Sequence, residues 1–157
     1  MKKIIMFMSG LMMAFSFSFS AQSAETKTLS QQVFEDQHAV PVSLSVTTQW
    51  LIFSHDKQGG EWVRQALTEL GIENLEARGG LYVADVSGMP SLITKWFALP
   101  KMQKYPFRIG LDISGDLTAA WPKQDSTVTL MRLNGLEVTE QVKASSGEQV
   151  KAFLAAF

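Results

Sequence analysis

The sequence predicts an α/β domain, a mixed β-sheet flanked by helices with an added N-terminal hairpin. Three observations carry that expectation. Thr48–Ser54 (TQWLIFS) and Leu81–Val86 (LYVADV) are continuous apolar runs, the pattern of strands buried on both faces. Between them, Trp62, Val63, Ala66, Leu67 and Leu70 recur with helical period. Near the end, Asn134-Gly135 separates Thr127–Leu133 from Leu136–Val142. Both turn residues tolerate positive φ, so the pair marks a tight antiparallel hairpin.

The elements follow in order. From Val33, VFEDQHAVPVSL is two short apolar pieces around a polar turn, a small hairpin. The first buried strand runs into the polar loop His55-Asp56-Lys57-Gln58-Gly59-Gly60, and the helix after it spans about residues 60–70. Gly71 is placed to end that helix in the left-handed region, with Ile72 packing back on its last turn. Ser87-Gly88-Met89-Pro90 opens a second helix over 90–98, which stops before Pro100 and buries Leu92, Ile93, Trp96 and Phe97. Phe107–Ile113 and Leu117–Trp121 read as strands around a Ser114-Gly115-Asp116 turn. Ser145-x-x-Glu148 is a capping box ahead of a last helix over 146–156, with Val150, Phe153, Leu154 and Phe157 as its stripe. The order places helices on both faces of the sheet. The expected core includes Leu51, Phe53, Leu67, Val83, Ile93, Leu111, Leu130, Phe153 and Leu154.

Upstream of the domain, residues 1–24 have the pattern of a secretory signal peptide. Lys2 and Lys3 precede an apolar stretch, Ile4–Phe15, and Ala21-Gln22-Ser23-Ala24 offers small residues for cleavage. The stretch is short of the ~20 apolar residues of a membrane span, so no stable membrane anchor is expected. The chain would be exported to the periplasm, with 25–32 a flexible lead-in and 33–157 the domain. Losing two lysines and no acid leaves 12 basic against 15 acidic residues, a mild negative balance without a basic stripe, which argues against nucleic acid as a partner. Five of the eight methionines lie in residues 1–24, so a methionine metal site has no compositional support.

The motif Phe34-Glu35-Asp36-Gln37-His38-Ala39-Val40-Pro41-Val42-Ser43-Leu44 resembles the opening "DQ.G..V.L" hairpin of the peroxiredoxin, redoxin and Sco-like branch of the thioredoxin-like superfamily, with Ala39 where that branch has Gly. Trp50–Ser54 is similar to its first core strand, and VTLMRLNGLEV with the closing helix to its final hairpin and helix. The resemblance spans about residues 33–157 and implies a thioredoxin-like fold. It also implies where chemistry would sit: a dithiol in the loop after the first core strand and a cis-proline before the final hairpin. Here the loop is His55–Gly60, Ser126 stands in the proline position, and the chain has no cysteine at all. Dithiol exchange and peroxide reduction need a thiolate, so both are excluded. No G-x-G-x-x-G fingerprint follows a strand, and the domain is small for a flavin site and a substrate site together, so no flavin is expected and no cofactor is assigned.

The candidate site is the same loop. His55, Asp56 and Lys57 sit at a strand end and a helix start, and Gly59 and Gly60 would let a ligand approach the helix N-terminus. Asp85 and Asp112 lie near the ends of neighbouring strands, and Trp121 is placed to wall one side. A histidine with carboxylates suits a divalent cation or an acid–base pair; a capped helix start with solvated side chains is the plain alternative. Lys101–Pro106 and Trp121-Pro122 together offer a second, aromatic and basic rim suited to a partner, against the plain reading of a connecting loop. The expected function is a periplasmic binding or accessory module without thiol redox chemistry, taking a small ligand or a periplasmic protein. The alternative is a small non-redox enzyme or metal-binding protein built on the His55/Asp56 loop. No catalytic residue is assigned.

Overall fold

The computed structural model describes residues 27–157; the expected signal peptide lies outside them. Seven strands form one sheet in the order β2-β1-β5-β4-β3-β6-β7. They are β1 (Gln32–Glu35), β2 (Pro41–Leu44), β3 (Trp50–Ser54), β4 (Gly80–Asp85), β5 (Gly110–Asp112), β6 (Val128–Asn134) and β7 (Glu137–Ala144). β3, β4 and β5 are mutually parallel, and every other pairing is antiparallel. Helix α1 (Lys57–Glu69) connects β3 to β4. Between β4 and β5 run α2 (Ser91–Ile93), a π-helical turn (Thr94–Ala98) and α3 (Leu99–Met102), and α4 (Gly147–Leu154) closes the chain.

The alternation of β3 divides the core in two. Trp50 and Ile52 join Val63, Ala66 and Leu67 of α1 and Val150, Phe153 and Leu154 of α4, with Met89, Leu99 and Met102 packed alongside. Leu51 and Phe53 face the other way, among Phe34, Val83, Met131 and Trp121. Among the described residues, no helical residue belongs to that second cluster. The expectation of helices on both faces is therefore corrected. The far face is covered by Leu29 and by the irregular connection from β5 to β6, where Leu117–Trp121 forms turns rather than a strand.

Residues 27–32, expected as a flexible lead-in, are tied down as well. Leu29 is buried; its N–H donates to Leu136 O and the Val138 N–H donates to Lys27 O, extending the sheet beside β7. The N-terminal hairpin is locked by its Asp-Gln pair. Asp36 accepts from the His38 and Val40 N–H groups and from Arg108 Nε at 2.7 Å. Buried Gln37 donates to Phe107 O and accepts from Ile109 N–H. Ala39 at φ +59° shows why glycine suits that turn position.

Several boundaries move for local reasons. Gly71 (φ +64°) ends α1 as expected: the Ile72 N–H donates to Leu67 O and the Gly71 N–H to Thr68 O. The hairpin turn shifts one residue, to Gly135 and Leu136, both at positive φ. Leu136 accepts that backbone because its side chain is buried in the second cluster. The final capping box is Ser146 with Gln149, whose Oε1 accepts from Ser145 N–H, while Glu148 pairs with Lys151. Gly80 is required by contact, since a Cβ there would lie 2.0 Å from the Trp50 ring.

The largest departure is the second helix. It does not stop before Pro100. The Leu99 N–H bonds five residues back to Thr94 O, and this π turn absorbs the proline's missing donor. The segment is inverted relative to the expected stripe. Thr94 faces inward, while Leu92, Ile93, Trp96 and Phe97 are 68%, 44%, 65% and 69% exposed. Ile93 is therefore not a core residue. The other expected core residues are buried.

Candidate functional site

The parallel strands β3 and β4 end side by side, with Ser54 opposite Ala84, and α1 starts directly above them. A cavity of about 430 Å³ opens there. Tyr82, Ala84 and Val86 of the β4 segment line one side, Gly60 and Glu61 of α1 another, and Met89, Ala98, Met102 and Tyr105 a third. Its wall is mostly apolar and its mouth polar, with His55, Lys57, Lys101 and Asp125 around the rim. The Lys101–Tyr105 stretch, expected as a separate rim, is a wall of this same cavity.

On the inner wall, Tyr82 Oη and Ser54 Oγ lie 2.9 Å apart, both buried. Burial pushes the Tyr82 phenol up to about 12, with the Ser54 hydrogen bond opposing, so the phenol stays neutral. Two hydroxyls sharing one hydrogen bond leave one O–H proton over, and neither makes another bond among the described residues. That spare donor belongs to a pair lining the cavity.

His55 directly follows β3, stacks on Phe53 and sets Nε2 3.5 Å from Oδ1 of the fully exposed Asp125. Asp56 is the α1 N-cap. Its Oδ1 accepts from Gly59 N–H at 2.7 Å, and its Oδ2 from Ser126 N–H at 2.6 Å. Lys57 is exposed at the first turn. His55, Asp56 and Asp125 each offer one ligand atom, all within 4.8 Å of one another.

The other expected site residues divide. Gly60 lines the cavity, but Gly59 is buried against β6, where a Cβ would come 2.9 Å from Thr127 O. Asp85 reaches the rim and pairs with Lys123 Nζ at 2.5 Å. Burial alone would raise its pKa, but Lys123 and Ser87 outweigh that and hold the carboxyl below its ordinary value. Asp112 does not reach the cavity: its oxygens accept from Gly115 N–H and from Thr118 N–H and Oγ1–H, organising the loop after β5. Trp121 is no wall either. It is buried edge-on against Phe53 (5.1 Å) and Phe34 (6.1 Å). Sequence reasoning did not assign Tyr82, Ser54 or Asp125 to the site. Asp125 had one available signal, its place beside Ser126 in the position expected to hold a cis-proline.

No protein-family model and no curated protein matches this sequence. Solved structures do resemble its fold. The peroxidoxin BcpB of Mycobacterium tuberculosis matches with a TM-score of 0.54 at 13% identity, over 84% of this chain and 96% of that one. StoA of Bacillus subtilis matches at 0.54 and 15% identity, over 80% and 96%. The thioredoxin domain of a thiol-disulfide oxidoreductase from Bacteroides vulgatus matches at 0.52 and 13% identity, over 83% and 95%. The chain has the thioredoxin-like fold, with a mixed sheet and flanking helices, and it is built without cysteine.

Proposed function

We propose that this chain is an exported thioredoxin-like binding module without thiol chemistry, and that it holds a small ligand with an apolar body and a hydrogen-bond acceptor. The observation that carries this is the cavity: apolar walls with a spare hydroxyl proton from the Tyr82–Ser54 pair, in the position where the fold would place a dithiol. The activities in the names of the structural neighbours are thiolate chemistry and do not transfer to a cysteine-free chain. Small aromatic carboxylates are a suitable probe class. Titrated into labelled protein, they should shift the Gly60 and Ala84 amide resonances, and Ala98→Trp, which fills the cavity from its helical wall, should abolish the response. Unmoved amides across the panel overturn the reading. The export component rests on the Lys2/Lys3 and Ile4–Phe15 pattern. A mature N-terminus at Ala24 or Glu25 in mass spectra of the secreted protein would support it; an intact N-terminus in the membrane fraction would sink it.

A second reading rests on the proximity of His55, Asp56 and Asp125. It makes the rim a divalent-cation site, with neutral His55 and two carboxylates as ligands. Both Asp56 oxygens already accept backbone N–H groups, and the start of α1 carries positive partial charge. Those two facts favour the ligand cavity. Calorimetric titration with zinc, repeated on His55→Ala, separates the readings.

A further inference from the structure

We propose that the outer face of the α2–α3 segment docks the folded domain reversibly on an anionic lipid bilayer. Leu92, Ile93, Trp96 and Phe97 are all exposed, three of them by about two-thirds, and they lie within six residues of one another. The inner face of the same segment is spent on the domain itself, through Thr94, Leu99 and Met102. A soluble domain rarely exposes a cluster of this kind without a partner.

Charge identifies the partner. The stretch Val86–Leu111 contains Lys95, Lys101, Lys104 and Arg108 and no acidic residue, although the whole chain is net negative. Arg108 is held by Asp36 and Glu76 and Lys101 stands on the cavity rim, which leaves Lys95 and Lys104 for an outside surface. Lys95 Nζ lies 5.9 Å from the centre of the Trp96 ring, so cation and aromatic side chain are presented together. Exposed aromatic and aliphatic side chains on a short helix, with lysines beside them, are the components of an interfacial membrane contact. This inference does not depend on the cavity reading, since Leu92, Ile93, Trp96 and Phe97 do not line the cavity.

The test is flotation of the full chain with vesicles of equal parts phosphatidylglycerol and phosphatidylcholine, beside a W96S/F97S variant. Both proteins carry the same N-terminal segment, so their difference reports the patch. The double variant should partition at least about tenfold less, given the apolar area removed. Replacing Lys95 and Lys104 by Gln should weaken binding by roughly fivefold per lysine, and salt should have a similar effect. Hydrogen exchange should show added protection of residues 91–102 when vesicles are present. Equal partitioning of variant and wild type overturns the proposal, as does protection confined elsewhere. A self-associated species in solution that W96S/F97S abolishes would assign the face to a second copy and likewise overturn it.

Discussion

The Asp56 carboxylate holds the Ser126 N–H at 2.6 Å while its other oxygen caps the Gly59 N–H of α1. One side chain thus clasps the start of the first helix to the turn that leads into β6. These are the two places where the resemblance implies a dithiol and a cis-proline. At those two places this chain carries the Asp56 fastening, with a cavity beside it.

Loss of that clasp should be felt as stability. Asp56→Ala removes a helix cap, worth about 0.5–2 kcal/mol, and leaves the Ser126 N–H without its acceptor. Asp56→Asn keeps one acceptor oxygen and should recover part of the loss. Denaturant unfolding of both variants checks this; an unchanged midpoint in Asp56→Ala would show that the clasp is incidental.

Acid sensitivity should trace to Asp36. Burial by itself raises its pKa, but Arg108 and the Val40 and His38 N–H groups overcome that and hold the carboxyl below its ordinary value. A carboxyl depressed in the folded state binds fewer protons there than in the unfolded chain. Its contribution is therefore full above the unfolded value of about 3.9 and is lost as pH falls through the lower folded value. Asp36→Asn should cost about 1.5–3 kcal/mol near neutrality, the scale of hydrogen bonds to a charged group. In strong acid the variant and wild type should converge. Urea midpoints measured down the acid limb decide it, and a gap that stays constant with pH would remove Asp36 from the account.

Two tryptophans should behave in opposite ways. Trp121 is 7% exposed between Phe34 and Phe53, so Trp121→Ala should cost about 3–5 kcal/mol. Trp96 is 65% exposed, and Trp96→Ala should change stability by no more than about 0.5 kcal/mol. The same unfolding assay reads both, and a reversed order would contradict the packing described.

That pair also marks how far the sequence could be read. Buried strands announce themselves by unbroken apolar runs, so β3 and β4 were legible, as was the N-terminal hairpin from its Asp-Gln motif. The periodicity of Leu92–Phe97 was equally legible but its direction was not. A helical stripe says that one face is apolar; it does not say whether the domain or an outside surface covers it. Trp121 had the reverse problem, because the irregular connection around it has no period to reveal that it fills the face left open by the helices of the described residues. At the site, His55 and Asp56 were found from their place after a buried strand. Tyr82 was hidden within an apolar run, where a hydroxyl leaves no sign of pointing into a cavity.

The adjacent glycines of α1 give the sharpest contrast, because the sequence offers no way to tell them apart. A Cβ on Gly59 would stand 2.9 Å from Thr127 O, a backbone atom of the segment entering β6 that cannot swing aside. Gly59→Ala should therefore push α1 away from the sheet and cost about 1–3 kcal/mol, as overpacking does. A Cβ on Gly60 meets nothing nearer than Tyr82 Oη at 3.6 Å, an ordinary contact. Alanine there stiffens the unfolded chain and favours the helix, so Gly60→Ala should leave stability unchanged or raise it by up to about 1 kcal/mol. Its methyl group would also stand over the Tyr82–Ser54 hydroxyl pair and narrow the approach to the spare proton. Paired unfolding curves, with the carboxylate titration repeated on Gly60→Ala, test both consequences. A stable Gly60→Ala protein whose Ala84 resonance no longer responds fits a ligand seated on the hydroxyl pair; an undiminished response places the ligand elsewhere in the cavity.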